Sequence, residues 1–180
     1  MRDLAVCRLA RRTVVLLLMG LLTVLACSPS ALAGRPLGEF ETFAEVKGAA
    51  GPQGIALGPD GAMWFTDRGA NSIGRITTAG EITAYPVPTA VSVPWEIVAG
   101  PDGAMWFTQL WANKIGRITM TGEVTEYDVP TAGAGPRGIA AGPDGAMWFT
   151  ELTGNRIGRI TMTGDVTEYA VPTAGVAPRA

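Results

Sequence analysis

GPDGAMWFT stands at Gly58–Thr66, again at Gly100–Thr108, and again at Gly142–Thr150. The nine residues are identical each time, and the tenth is not: Asp67, then Gln109, then Glu151. Fixed positions build a scaffold, and a changing position marks where a scaffold can be put to use. Working outward from the motif, Pro52, Pro94, Pro136 and Pro178 recur at a spacing of 42 residues. The units Pro52–Val93, Pro94–Gly135 and Pro136–Ala177 align without a gap, and the second and third agree at 31 of 42 positions. Upstream, GEFETFAEV (Gly38–Val46) falls in the register of GEVTEYDVP (Gly122–Pro130), so the last quarter of a unit precedes the first whole one.

Each unit holds four short β-prone segments. In the third they are expected over Gly138–Ala141, Ala146–Thr150, Ile157–Met162 and Asp165–Val171. Pro143-Asp144-Gly145, Gly154-Asn155 and Thr163-Gly164 separate them with residues suited to tight turns. The segments are too short and too rich in glycine and β-branched residues for helix. Met147 and Phe149 fall on one face and Trp148 on the other, so both faces are covered. Four-stranded sheets at this period, packed front to back, are blades of a β-propeller. The fold class is therefore all-β: a propeller of four-stranded blades, incomplete, with about three blades and one leading outer strand. Gly74, Gly116 and Gly158, inside the third strand, are expected to leave room for a bulky side chain of the next blade.

A ring takes about 4–8 blades. Three blades and an orphan strand imply a piece of a longer propeller. The other reading is a short chain that self-associates through its open blade faces.

The N-terminal segment is of another kind. Arg2, Arg8, Arg11 and Arg12 precede the uncharged, mostly apolar stretch Thr13–Ala26, and Ala31-Leu32-Ala33 offers a cleavage site. Residues 1–33 have the layout of a secretory signal peptide, leaving 34–180 as the partial propeller, secreted or extracytoplasmic. An uncleaved anchor, a twin-arginine signal around Arg11-Arg12, and lipidation at Cys27 are the variants. Cys7 and Cys27 are the only cysteines, so the segment after Ala33 has no thiol chemistry. The chain has no histidine. From Gly34 on the net charge is −5, which argues against nucleic acid and anionic membrane surfaces as partners.

Gln53, Trp95 and Arg137 open the units and vary while their neighbours hold, as a recognition ring would. Trp95 could stack on a small-molecule ligand and Arg137 could pair with a carboxylate; ordinary loop surface is the plainer reading. Glu151, with Asp67 and Gln109, ends the second strand, either lining a mouth or as solvated strand ends. Trp64, Trp106 and Trp148 recur in every unit, as packing residues do, while Trp111 has Gly69 and Thr153 as counterparts and belongs to the surface or between blades. Asp60, Asp102 and Asp144 are turn formers; Arg75, Arg117 and Arg159 should pair with a strand-end acid or cover apolar surface. There is no phosphate loop, zinc spacing, catalytic triad or nucleophile elbow.

The run from P-x-G-I through G-P-D-G-A-M-W-F-T-E to N-x-I-G-R-I-T and T-E-Y-x-V-P-T resembles the repeat of the virginiamycin B (streptogramin B) lyases, over Gly38–Ala180. The resemblance implies a seven-bladed propeller and a Mg²⁺-dependent elimination that opens the ester (C–O) linkage of a cyclic depsipeptide antibiotic, conferring resistance. It implies a histidine base just after the proline that opens a repeat, a second histidine holding substrate, and glutamates on the metal, one of them the Glu of W-F-T-E. At the histidine position this chain has Gln53, Trp95, Arg137 and Arg179, and only Glu151 matches the glutamate. Arginine is no base at neutral pH. No catalytic residue is therefore assigned. Gln53, Trp95 and Arg137 remain candidate substrate contacts, Glu151 a candidate metal ligand, and Mg²⁺ a cofactor implied by resemblance alone. The expectation is an exported, lyase-like propeller, truncated or inactive in this form. The rival is a non-catalytic extracytoplasmic propeller binding a small molecule or protein. A lactonase-type hydrolase would need an axial cluster of Glu, Asn and Asp that is not assembled.

Overall fold

The computed structural model describes residues 51–172. The leader, the Gly38–Val46 strand, Arg179 and the end of the third unit lie outside the described residues. Twelve strands form three antiparallel four-stranded sheets. The first is β1 (Pro52–Leu57), β2 (Met63–Asp67), β3 (Ser72–Ile76) and β4 (Ile82–Pro86). The second is β5 (Pro94–Ala99), β6 (Met105–Gln109), β7 (Lys114–Ile118) and β8 (Val124–Asp128). The third is β9 (Pro136–Ala141), β10 (Met147–Glu151), β11 (Arg156–Ile160) and β12 (Val166–Ala170). Neighbours in each sheet follow chain order, so every connection is a hairpin. The expected segments of the third unit are all present, with ends shifted by one or two residues. First strands pack against first strands, β1 beside β5 and β5 beside β9. This is the blade stacking of a propeller, with β1, β5 and β9 innermost.

The two faces of each blade meet different neighbours. Trp64 and Ile73 of the first blade pack with Ile97, Met105, Phe107 and Ile118 of the second. Trp106 and Ile115 of the second pack with Met147, Phe149 and Ile160 of the third. The W-F alternation thus sends Trp forward to the next blade and Met and Phe back to the previous one, the period-2 reading of M-W-F.

Two expectations are corrected. A Cβ on Gly74, Gly116 or Gly158 would meet the Phe65, Phe107 or Phe149 ring. That ring comes from the facing residue of the same sheet, not from the next blade. The phenylalanine lies flat across its own blade because its partner has no side chain. The repeated arginines pair with the turn aspartate rather than a strand-end acid: Arg75–Asp60, Arg117–Asp102 and Arg159–Asp144 are each 2.6 Å; the other arm of that expectation, covering apolar surface, is seen at Arg75, whose guanidinium carbon lies 6.0 Å from the Trp64 ring centroid. Each aspartate also accepts the indole N–H four residues on, Trp64 at 3.0 Å, Trp106 at 3.0 Å and Trp148 at 2.9 Å. At Asp60 and Asp102 partial burial pushes the carboxyl up, but the indole, guanidinium and backbone donors outweigh it and hold both below the ordinary value. At Asp144 the Trp148 and Arg159 bonds bring it to about 2. The P-D-G turn therefore fixes the core tryptophan as well as the chain reversal.

Candidate functional site

Register puts the variable residues at one end of the blades. Pro52 faces Asp67, Asp67 faces Ser72, and Ser72 faces Pro86, so these residues share an edge of the first sheet. The P-D-G turns occupy the opposite end. Pairing of the innermost strand slips between Pro52 and Ile55, between Pro94 and Ile97, and between Pro136 and Ile139. Gln53, Trp95 and Arg137 are the residues carried by these bulges, which re-aim side chains where strand pairing is interrupted.

Threonine of the W-F-T motif ties each bulge to the next. Gly54 N–H donates to Thr66 Oγ1 at 2.8 Å, and the Thr66 hydroxyl donates to the Trp95 carbonyl at 2.8 Å. Glu96 N–H donates to Thr108 Oγ1 at 3.1 Å, and Thr108 donates to the Arg137 carbonyl at 2.7 Å. Trp95 and Arg137, both half-buried, are so brought together: the guanidinium carbon lies 5.0 Å from the Trp95 ring centroid. A cation held over an indole leaves one flat aromatic face and a fan of N–H donors for a ligand. Gln53 is exposed and not part of this pair.

The linkers that enter the second and third bulges are each clamped by an asparagine that sequence reasoning treated only as a turn residue. Asn71, at φ 52°, donates to the Val87 and Thr89 carbonyls at 3.2 and 2.9 Å and accepts from Ser92 N–H at 2.8 Å. Asn113, at φ 59°, does the same for Val129 and Thr131. Asparagine is among the few side-chain-bearing residues that enter the left-handed region readily. The linker before Trp95 carries an unforeseen departure. Val91 and Val93, at the end of the first unit, take φ 53° and 54°, where the second unit has Gly133 and Gly135, both at 63°. A β-branched residue there is strained. The valine-for-glycine exchange in the alignment was the available signal. Trp111 is 71% exposed, which settles it as surface; its backbone N–H donates to the Ser92 carbonyl at 3.1 Å.

The tenth residues are not solvated strand ends. Asp67, Gln109 and Glu151 are all buried. Asp67 accepts the Gly69 and Ala70 N–H groups at 3.1 and 3.0 Å and so caps the β2–β3 turn. The longer Gln109 and Glu151 side chains have no hydrogen-bond partner from the protein. Glu151 lies against Gly154, whose missing side chain makes the room. Burial, then the charge of Glu168 beside it, raise the Glu151 carboxyl to about 7, with Arg156 opposing. Above the ordinary value of 4.5 the unfolded chain is ionised there, while the fold keeps the proton up to about 7. Stability therefore falls as pH rises through that window. Glu151→Gln, which copies the Gln109 arrangement, is expected to match the parent near pH 4. Near pH 8 it should exceed the parent by about 1–2 kcal/mol, after discounting for solvent screening. Urea unfolding at the two pH values reads this; equal stabilities at both would mean the carboxylate is not desolvated.

As a cation site this is incomplete. Glu151 offers an orphaned carboxylate, but Glu168 is engaged by Thr131, and Mg²⁺ takes near-octahedral oxygen coordination. Among the described residues no group of three or more His, Cys, Asp or Glu could hold a metal ion. They do not by themselves fit the implied Mg²⁺, and no chemical step is built through it.

Stacked four-stranded blades, with a bulge-borne aromatic–cation pair at one end, define a β-propeller. The sequence pattern of the virginiamycin B lyase family matches residues 34–180, and the chain belongs to that family. A virginiamycin B lyase from Mycolicibacterium smegmatis is 51% identical over 37 residues, 21% of this chain and 13% of that protein. A catalytically inactive histidine-to-alanine virginiamycin B lyase from Staphylococcus aureus with quinupristin matches at 47% identity and a TM-score of 0.72, over 76% of this chain and 46% of that one. A streptogramin B lyase structure matches at 45% identity and a TM-score of 0.75, over 78% and 47%. The chain thus spans about half the length of these solved relatives.

Proposed function

We propose that this chain supplies scaffold and ligand-facing blades to an exported, virginiamycin B lyase-type propeller, and that the 180-residue chain alone does not catalyse the reaction. The reaction proposed for the whole propeller is elimination on a streptogramin B-type cyclic depsipeptide. A base takes the Cα proton, its electron pair forms a C=C bond, and the ester C–O bond breaks with departure of the carboxylate. Mg²⁺ would stabilise the developing negative oxygen; its full ligand set would have to include groups beyond the described residues, with Glu151 as at most one donor. Such a propeller would confer resistance to these antibiotics.

The observation that carries the reading is the absence of a base where the family pattern asks for one. The chain has no histidine, and Gln53, Trp95 and Arg137 stand at the matching position. Replacing one histidine by alanine leaves the Staphylococcus aureus relative catalytically inactive. Glu151 has a base-like proton affinity but is fully buried, out of a substrate's reach. Export is supported by the basic, apolar and small-residue order of residues 1–33. Among the described residues no helix is long and apolar enough to cross a membrane.

The Trp95–Arg137 pair favours the second reading, a mouth that binds without turnover. One experiment tests both the expected inactivity of the chain and its mouth. The chain is incubated with quinupristin and Mg²⁺, followed by chromatography and mass spectrometry, with tryptophan fluorescence reporting binding. The expected result is no opened product, with binding that weakens about tenfold in Trp95→Ala. An opened product of unchanged mass would mean that the chain is itself a lyase. A product heavier by one water would mean a hydrolase.

A further inference from the structure

The second blade has a described blade on each side, and what sets it apart from its repeats gathers at the end that carries the bulges. Trp111 stands where the other units have Gly69 and Thr153, and Trp95 where they have Gln53 and Arg137. Val91, in the linker that enters this blade, stands where the next linker has Gly133. Trp111 and Val91 are 71% and 66% exposed, yet both are firmly held. The backbone N–H groups of Trp111 and Ala112 donate to the Ser92 carbonyl at 3.1 and 3.4 Å. Ser92 is itself buried, and its N–H and hydroxyl both donate to Asn71 Oδ1 at 2.8 Å. On either side of Ser92 the valines sit in the left-handed region, a strain of the kind that concentrates at binding sites. Three residues, at most about 11 Å of chain, separate Ser92 from Trp95. The exposed apolar rim and the Trp95–Arg137 pair therefore belong to one edge of the molecule.

Arg137 differs from the other cations of the blades. Arg75, Arg117 and Arg159 each hold an aspartate, and Lys114 holds Asp128 at 2.6 Å. Among the described residues Arg137 has no ion pair, although Glu96 stands next to its partner Trp95. Its half-buried guanidinium rests on the Trp95 ring, and buried Thr108 fixes its backbone through the 2.7 Å bond to its carbonyl. A cation partly withdrawn from water, stacked and held, with its planar fork unspent, is preorganised for one carboxylate. We infer that this edge takes a ligand carrying one carboxylate and an apolar ring, the carboxylate on Arg137 and the ring against Trp95, Trp111 and Val91. The charge is called for by the unpaired Arg137, and the ring, independently, by the exposed rim. The inference rests on the reading of this end as a ligand-binding mouth. It also gives the proposed elimination a direction. The scissile ester of a closed ring carries no carboxylate and the opened product carries one, so the site holds the opened form more tightly.

Two probes that differ at a single group test this: N-acetyl-phenylalanyl-alanine as the free acid, and the same molecule as its methyl ester. N-acetyl-alanyl-alanine supplies the carboxylate without the ring. Each is titrated at neutral pH into the full chain labelled with nitrogen-15. The indole N–H signals of Trp95 and Trp111 and the Nε–H signal of Arg137 read binding; the Trp106 indole, held by Asp102 at the other end of the blade, is the reference that should not move. The acid is expected to bind about tenfold more tightly than the ester. Arg137→Gln should bring the two together; Gln53 shows that this bulge accepts glutamine, and circular dichroism checks the fold. Arg137→Lys, which keeps the charge without the fork, should fall between. Trp111→Ala should weaken acid and ester alike by about threefold to tenfold and leave their ratio unchanged. Equal binding of acid and ester would overturn the carboxylate site while the mouth stood. A ringless acid that binds as tightly as the phenylalanyl acid would overturn the apolar rim. If no probe moved any of the three signals, the inference would fall together with the reading of this end as a mouth.

Discussion

Trp106→Ala is expected to lower the unfolding free energy by about 3–5 kcal/mol, the range for deleting a large aromatic from a closed core. Trp106 is 0% exposed and packs against the third blade. It stacks on Tyr127 at 5.7 Å and donates its indole N–H to Asp102 at 3.0 Å. The change opens a cavity between two blades and strips a donor from a partly buried carboxylate, and the surrounding strands cannot collapse into the space without breaking register. The control is in the same chain. Trp148→Ala removes the same side chain with the same stacking and aspartate bond, at a face that no described blade covers. It should cost about half as much, because less apolar area leaves water on folding. Urea unfolding of both variants decides it. Equal losses would mean that the value lies within the blade and not between blades. Because typical domains are stable by only about 5–15 kcal/mol, Trp106→Ala threatens the fold itself.

Gly116→Ala should cost about 2–3 kcal/mol, although alanine suits a strand better than glycine does. A Cβ at Gly116 would come within 2.1 Å of Phe107 Cζ, and that ring is 0% exposed. The ring must tilt or the second and third strands must part. Phe107→Leu should cost stability on its own but remove the clash, so the double variant should be more stable than the sum of the two losses by about 1–2 kcal/mol. Strict additivity in that cycle would show that the glycine is kept for backbone reasons and not for the ring across from it.

The architecture was legible because repetition prints the same local physics three times. The 42-residue spacing, the P-D-G turns and the M-W-F alternation each specify one element, and all agree on stacked four-stranded sheets. Less legible was which atoms meet. The glycine opposite Phe107 reads as a space in the strand, yet the sequence does not say which blade fills it. Asp102 reads as a turn former, and nothing local reveals that Trp106 and Arg117 share its two oxygens. At the candidate site, the sequence showed only that Gln53, Trp95 and Arg137 occupy equivalent, variable positions after the opening proline. The pairing of two of them was not legible, because Trp95 and Arg137 are separated by one full repeat and meet only when bulges in adjacent blades are aligned through Thr108.

The tenth residue after GPDGAMWFT marks the boundary between the two kinds of knowledge. By itself the sequence determined that this position ends a strand, varies, and in one unit carries the glutamate of the family pattern. It also determined that the chain contains no histidine. Those are properties of order and composition. Only the tertiary structure decided that Asp67, Gln109 and Glu151 are all enclosed, that Asp67 caps its own turn, and that Glu151 sits beside Glu168 with its proton held to about neutral pH. Burial and the field of neighbouring charges are sums over residues distant in the chain, and neither is written in the spacing of a repeat.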